Sequence, residues 1–204
     1  MLVRVPVTPT PGREAVDARP ADTAAYKSGA RVGSPMRLSE ATWPDVRDCD
    51  TDLALVPTGS TEQHGPHAPL GTDALLAETV AEAGADAYDG EVVVAPTIEH
   101  GVSEEHRGFD GTLWVAPETF RAVVRDTVGS LAHHGFDRIV VVNGHGGNVD
   151  ALAEVCARLT RDGDAYVRPF TWFDGLDLDD HGVSMGHAGA VETAALRHAR
   201  PDLV

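Results

Sequence analysis

The sequence predicts an α/β fold built on a mostly parallel sheet with helices over both faces. Short runs rich in Val, Ile and Leu alternate with segments whose apolar residues recur at helical spacing. Those runs are continuous rather than alternating, which suits strands buried on both faces. The chemically distinctive loops follow predicted strands, and right-handed crossovers would bring the strand C-termini to one edge, where ligands of open α/β sheets gather.

The elements follow in order. Residues 1–35 are rich in Pro, Ala, Arg, Thr, Gly and Asp without a sustained apolar period, and are expected to form a disordered extension. Met36 opens a segment that reads as a domain beginning, or as the true start of the chain. Residues 53–56 predict a first strand. Residues 73–88 predict a helix carrying Leu76, Val80, Ala83 and Ala87 inward. A second strand is expected over 91–95, a long polar loop over 96–111 and a short strand over 112–115. Residues 117–134 predict a helix with Phe120, Val123, Val124, Val128 and Leu131 on one face, Pro117 in its first turn and Gly135 as its stop. The run Ile139-Val140-Val141-Val142 marks the strongest strand, over 138–142. A helix over 149–160, a strand over 165–170 and a helix over 188–199 complete the pattern.

Composition narrows the function classes. Asp plus Glu number 32 against 16 Lys plus Arg, and Lys27 is the only lysine. Such a surface repels nucleic acid and anionic membranes, and points to a halophilic type of acidic coat. Cys49 and Cys156, the only cysteines, give neither a disulfide framework nor a Cys-based zinc motif. Cys156 falls in an apolar helical pattern and reads as core. With no membrane-length apolar run and no signal peptide, a cytoplasmic location is expected.

The most informative stretch is residues 59–73, Gly-Ser-Thr-Glu-Gln-His-Gly-Pro-His-Ala-Pro-Leu-Gly-Thr-Asp. Glu62 and His64 stand at i, i+2, so in extended backbone their side chains leave on the same side. Asp73 returns after a Gly/Pro-rich turn and opens the next helix. Singly, each has a mundane role: a solvated acid, a polar loop histidine, a helix N-cap. Together they suit a divalent metal site.

Three further segments carry chemistry. In Asn143-Gly144-His145-Gly146-Gly147-Asn148, glycines around His145 let backbone approach a metal or an anion, or form a plain tight turn. The spacing does not complete a dinucleotide-binding loop. His187 precedes the last helix and Glu192 lies in its first turns. His187 suits an acid/base role, and Glu192 suits a metal carboxylate, a support for one, or a favourable charge at a helix start. In the 99–112 loop, His100 and His106 are placed either in a solvated loop or against substrate or a neighbouring subunit. Neither a G-x-S-x-G elbow nor a cysteine beside a histidine motif is present, which leaves hydrolysis by a metal-activated water.

Taken together, residues 59–73, 105–112, 143–148 and 187–193 resemble the creatininase (creatinine amidohydrolase) family, over about residue 36 to the C-terminus. The resemblance implies a three-layer α/β/α sandwich for 36–204, a homo-oligomer, often a hexamer, and two divalent ions per subunit (zinc, manganese or iron). It implies that Glu62, Asp73 and His145 bind one metal and His64 and Asp73 the other, with Asp73 bridging and His187 catalytic. Two positions depart from the family. Gly147 and Ala190 stand where relatives have glutamates, and the glutamate at the first is a ligand of the second metal in creatininase itself. Glu192 is the candidate to complete that site. The Gly-Gly form is shared with an archaeal formamide hydrolase and the mycofactocin precursor peptidase. The expected activity is a metal-dependent amidohydrolase acting on a small-molecule amide, cyclic amide or formamide. The alternatives are a peptidase acting on a small peptide precursor and a non-catalytic metal-binding protein of the same fold.

Overall fold

The computed structural model describes residues 35–163, 165–178 and 181–204. The extension expected over 1–35 therefore lies, apart from Pro35, outside the described residues, as does the question of a start at Met36.

Five parallel strands form one sheet in the order β1-β3-β2-β4-β5: β1 (Met36–Arg37), β2 (Leu53–Thr58), β3 (Val93–Val94), β4 (Arg138–Asn143) and β5 (Tyr166–Thr171). Among the described residues, five α-helices accompany them: α1 (Trp43–Asp48), α2 (Thr72–Ala87), α3 (Pro117–His133), α4 (Val149–Asp162) and α5 (Ala190–Ala199). The α/β class with a parallel sheet is the one predicted. β1 and α1 were not foreseen, because two residues of strand and one and a half turns of helix are too short to show a period.

Helices α3 and α4 cover one face. Phe120, Val124, Val128 and Leu131 of α3 meet Leu152, Val155, Cys156 and Leu159 of α4 over Ala54, Val56, Ile139, Val141 and Val167. Burying each large side chain of this kind contributes about 1.5–3 kcal/mol. Cys156 belongs to this core, as expected, and burial pushes its thiol up to about 12, so it stays an inert thiol. Helix α2 covers the opposite face, where Ala81 and Ala85 pack on Leu55, Val92, Val94 and Val142. A smaller cluster of Leu76, Trp172 and Leu196 fastens α5 to α2.

Several local expectations need correction. In α2 the buried stripe is Ala74, Ala77, Ala81 and Ala85, while Ala83 and Ala87 are exposed and Val80 is half-buried. An alanine-rich helix offers several stripes of equal hydrophobicity, and tertiary packing chooses among them. Val123 is 41% exposed, because Val124 takes the inward position. Residues 112–115 form no strand, only single bridges from Leu113 to Thr61 and from Trp114 to Gly101. α5 begins at Ala190, because Ala188 adopts a left-handed backbone with φ 53° that no helix can include.

Register explains where the site lies. Thr58, Asn143 and Thr171 end β2, β4 and β5 as neighbouring partners. The chains that leave these ends carry residues 59–73 and 144–148 onto the same edge. Residues 99–113 join them through the bridges of Thr58 to Ile98 and Thr61 to Leu113. Among the described residues no helix is long and apolar enough to cross a membrane.

Candidate metal centre

Five side chains predicted from sequence converge at that edge. Glu62, His64, Asp73, His145 and Glu192 are all buried, with Glu62 and His64 fully so. Asp73 lies inside the first turn of α2, whose N-cap is Gly71, so the plain N-cap role considered for Asp73 is not the one it takes. Its two oxygens face different partners. Oδ1 is 3.0 Å from His64 Nε2 and Oδ2 is 3.0 Å from His145 Nδ1. Glu62 Oε1 stands 3.3 Å from His145 Nδ1, and Glu192 Oε2 stands 3.7 Å from His64 Nε2. The side chains thus fall into two triads that share Asp73: Glu62, Asp73 and His145, and His64, Asp73 and Glu192.

Both imidazoles are tied from behind. His64 Nδ1 is 3.1 Å from the Glu62 carbonyl oxygen, and His145 Nε2 is 2.8 Å from the Val102 carbonyl oxygen. A carbonyl accepts only, so each of these nitrogens is the protonated donor. That leaves His64 Nε2 and His145 Nδ1 to face the carboxylates. A metal-binding histidine is commonly oriented in this manner.

The electrostatics call for positive charge at the centre. Three buried carboxylates lie within one small volume, and no Lys or Arg forms an ion pair with them among the described residues. Glu62 Oε1 and Oε2, His64 Nε2 and Asp73 Oδ2 are buried without a hydrogen-bond partner. Buried charge is tolerated only when paired or coordinated. Either protons on the imidazoles or divalent cations between the groups satisfy this set, and oxygen and imidazole donors fit zinc, manganese or iron. Burial alone would lower the affinity of His145 for a proton, but the facing Asp73 and Glu62 outweigh it and raise its pKa to about 10. His64 is raised in the same sense, with burial opposed by Asp73. Burial would raise the Asp73 carboxyl, but His145 and His64 hold it below the usual range. Burial and the nearby Asp73 raise Glu192.

His187 sits at the open side, with Nδ1 3.3 Å from Glu62 Oε1. Its ring packs 4.5 Å from that of His64 and stacks 4.4 Å from that of His106. The turn preceding α5 holds it there, since the Ala188 amide donates to Glu192 Oε2 at 2.7 Å. Glu192 thus steadies the His187 turn while one of its oxygens faces His64. Position 147 has no room for a side chain, so the acid that accompanies Asp73 in the second triad comes from α5. Position 190 starts α5 as alanine. His106 joins the site through a one-turn 3-10 helix (Glu104–His106), with Nε2 3.8 Å from Glu62 Oε1, whereas His100 is exposed and pairs with none of these groups.

The supporting polar network was not anticipated. Asn148 is fully buried. It donates to the Gly59 carbonyl at 3.0 Å and accepts from the Val102 amide at 3.0 Å. Asn143 accepts from the His145 amide and donates to the His145 carbonyl. These bonds pin the loops after β2, β3 and β4 together. The only hint in the sequence was a pair of Asn residues flanking the glycines of 143–148. Gln63 was also missed, although it lies between two predicted ligands.

Comparison with known proteins fits this geometry. The family described as "Creatininase: Creatinine amidohydrolase" matches residues 39–204. A mycofactocin precursor peptide peptidase from Mycolicibacterium smegmatis is 43% identical over 154 residues, 74% of this chain and 59% of that protein. A creatinine amidohydrolase from Pseudomonas putida is 30% identical over 119 residues, 53% of this chain and 44% of that protein. A solved structure described as "Creatininase Mn" superposes with a TM-score of 0.71 at 27% identity, covering 83% of this chain and 75% of that one. The chain spans about three fifths of the length of the curated peptidases it matches. With the family match covering most of the sequence and the sheet shared with solved creatininases, the chain belongs to the creatininase family.

Proposed function

We propose that this chain forms the dinuclear metal centre of an amide hydrolase and that its bond is a peptide bond in a small peptide precursor. One observation carries the hydrolase reading: three buried carboxylates face two imidazoles whose outer nitrogens are already tied to carbonyl oxygens. Glu62, Asp73 and His145 would hold one divalent ion, and His64, Asp73 and Glu192 the other. The ions are zinc, manganese or iron, and a manganese form is named among solved relatives. When bound, such ions polarise a carbonyl oxygen and make water acidic enough to act as a nucleophile near neutral pH. The protein residues do the remaining work. Asp73 holds both triads at a fixed separation through its two oxygens. His187, at the open side, holds the proton that the leaving nitrogen needs.

The choice of a peptide bond follows the 43% identity to a protein named as a peptidase. The small cyclic amide or formamide read from the sequence is the second reading, supported by the creatinine amidohydrolase at 30%. A homo-oligomer, up to a hexamer, and a cytoplasmic location belong to the same proposal. The test is metal analysis of the purified protein, followed by assays with short peptides, creatinine and formamides. Two ions per chain with peptide cleavage support the first reading. Hydrolysis of creatinine or a formamide alone supports the second. Full activity in a metal-free preparation, or in Glu62→Gln and Asp73→Asn, overturns both.

A further inference from the structure

We infer that Gln63 fixes the tautomer of His106 and so makes His106 a second hydrogen-bond donor aimed into the metal centre. Each bond in this relay has a forced direction. The Gly65 backbone amide can only donate, and it lies 3.0 Å from Gln63 Oε1. That contact sets which end of the Gln63 amide is oxygen and which is nitrogen. Gln63 Nε2, a donor with no lone pair to offer, then faces His106 Nδ1 at 3.2 Å. His106 Nδ1 must accept, so the ring proton of neutral His106 resides on Nε2. Nε2 is the atom that points inward, 3.8 Å from Glu62 Oε1. The relay from Gly65 through Gln63 to His106 runs in one direction only.

His187 is not governed in the same way. Its Nε2 lies 2.8 Å from the side-chain Nε2 of Gln63 and 2.7 Å from the backbone carbonyl oxygen of Gln63, so the two neighbours draw its proton in opposite senses. His106 stacks on His187 at 4.4 Å and 21° between planes. The two rings therefore stand side by side at the mouth of the centre, one with a fixed donor. A carbonyl oxygen of a bound amide would meet His106 Nε2–H as its charge develops, a role separate from the proton held by His187. This part rests on the hydrolase reading, whereas the tautomer does not. Gln63 is a positioning residue, and His106 is the group that would touch substrate.

The experiment is ¹⁵N NMR of histidine side chains in the zinc-loaded protein without substrate. The wild type should show His106 protonated at Nε2 and bare at Nδ1. Gln63→Leu removes the donor and should give a mixture of tautomers. Gln63→Glu replaces it with an acceptor and should move the proton to Nδ1. Metal content should be unchanged in both variants. Turnover of the amide substrate should fall by on the order of tenfold in Gln63→Leu, the worth of one hydrogen bond, and further in His106→Phe. A wild-type His106 protonated at Nδ1, or a pattern unmoved by Gln63→Leu, overturns the inference. Should no amide substrate be found, the hydrolase reading fails while the tautomer pattern is still decided.

Discussion

Gly147 lies so close to Val102 that a Cβ at 147 would sit 2.1 Å from the Val102 carbonyl oxygen and 2.5 Å from His145 Nε2. The bond that orients His145 passes through the space a side chain would fill. Gly147→Ala should break that bond and cost about 1–3 kcal/mol of stability by overpacking. It should also lower metal affinity by about 10- to 100-fold, as loss of a partner behind a ligating histidine does. Gly147→Glu should not create an additional metal ligand but should disrupt His145 as the alanine does. Thermal unfolding and metal titration of both variants check this. A glutamate variant that binds metal more tightly than wild type would contradict it.

The two triads share Asp73 but differ in every other member. Glu192→Gln should therefore lose the ion held with His64 and keep the other, giving about one ion per chain. Asp73→Asn should lose both. Metal stoichiometry by elemental analysis distinguishes these outcomes, and a Glu192→Gln protein that retains two ions would remove Glu192 from the set.

Protons and metal compete for the same nitrogens, which gives a pH signature. In the metal-free protein His145 is raised from its ordinary 6.5 to about 10 by Asp73 and Glu62 against the effect of burial. A raised histidine stabilises the fold fully below 6.5 and loses that contribution as pH climbs through about 10. Asp73, held below its ordinary 3.8, contributes above 3.8 and loses that contribution as pH falls through its lowered value. Chelator-treated protein should thus melt at a lower temperature at pH 10 than at pH 6. Metal binding should release protons and strengthen as pH rises from 6 to 8. Calorimetry in buffers of different ionisation enthalpy measures the release, and metal affinity independent of pH would count against this arrangement.

Asn148 joins three loops through one side chain. Asn148→Asp places an acceptor opposite the Gly59 carbonyl, which loses its side-chain donor, and opposite Asn143 Oδ1, which keeps only the His145 amide. A loss of about 1–3 kcal/mol per unsatisfied group is expected, read as a lower melting temperature. Asn148→Asp melting like wild type would show that the loops hold without this pin.

Net charge of −16 predicts salt-dependent stability. Repulsion among exposed carboxylates is screened by salt, so the melting temperature should rise steadily with sodium chloride. A melting temperature independent of salt would exclude the halophilic character expected from composition.

The sequence revealed the parts of this molecule in which chemistry is local. The run Ile139-Val140-Val141-Val142 could hardly be anything but a buried strand, and Glu62, His64 and Asp73 are close along the chain. Alternatives of equal local merit were not legible. Ala81 and Ala83 carry the same side chain, and only the packing of α2 on Leu55 and Val142 separates the buried one from the exposed one. The contact between Gln63 and His106 joins residues 43 positions apart and depends on the path of the 99–113 loop, which no periodicity encodes. His145 was readable as a candidate ligand, but the carbonyl that orients it belongs to Val102, and backbone groups carry no mark in a sequence.

The centre draws on residue 62 near the start of the sheet and residue 192 in its last α-helix, and this fixes when it can exist. All three members of the Glu62, Asp73 and His145 triad have been synthesised once the loop after β4 has left the ribosome. The His64, Asp73 and Glu192 triad must wait for α5 to dock through Leu196. On the proposed two-ion reading, cation capture during synthesis is stepwise, the half-built cage accepting one ion before its neighbour.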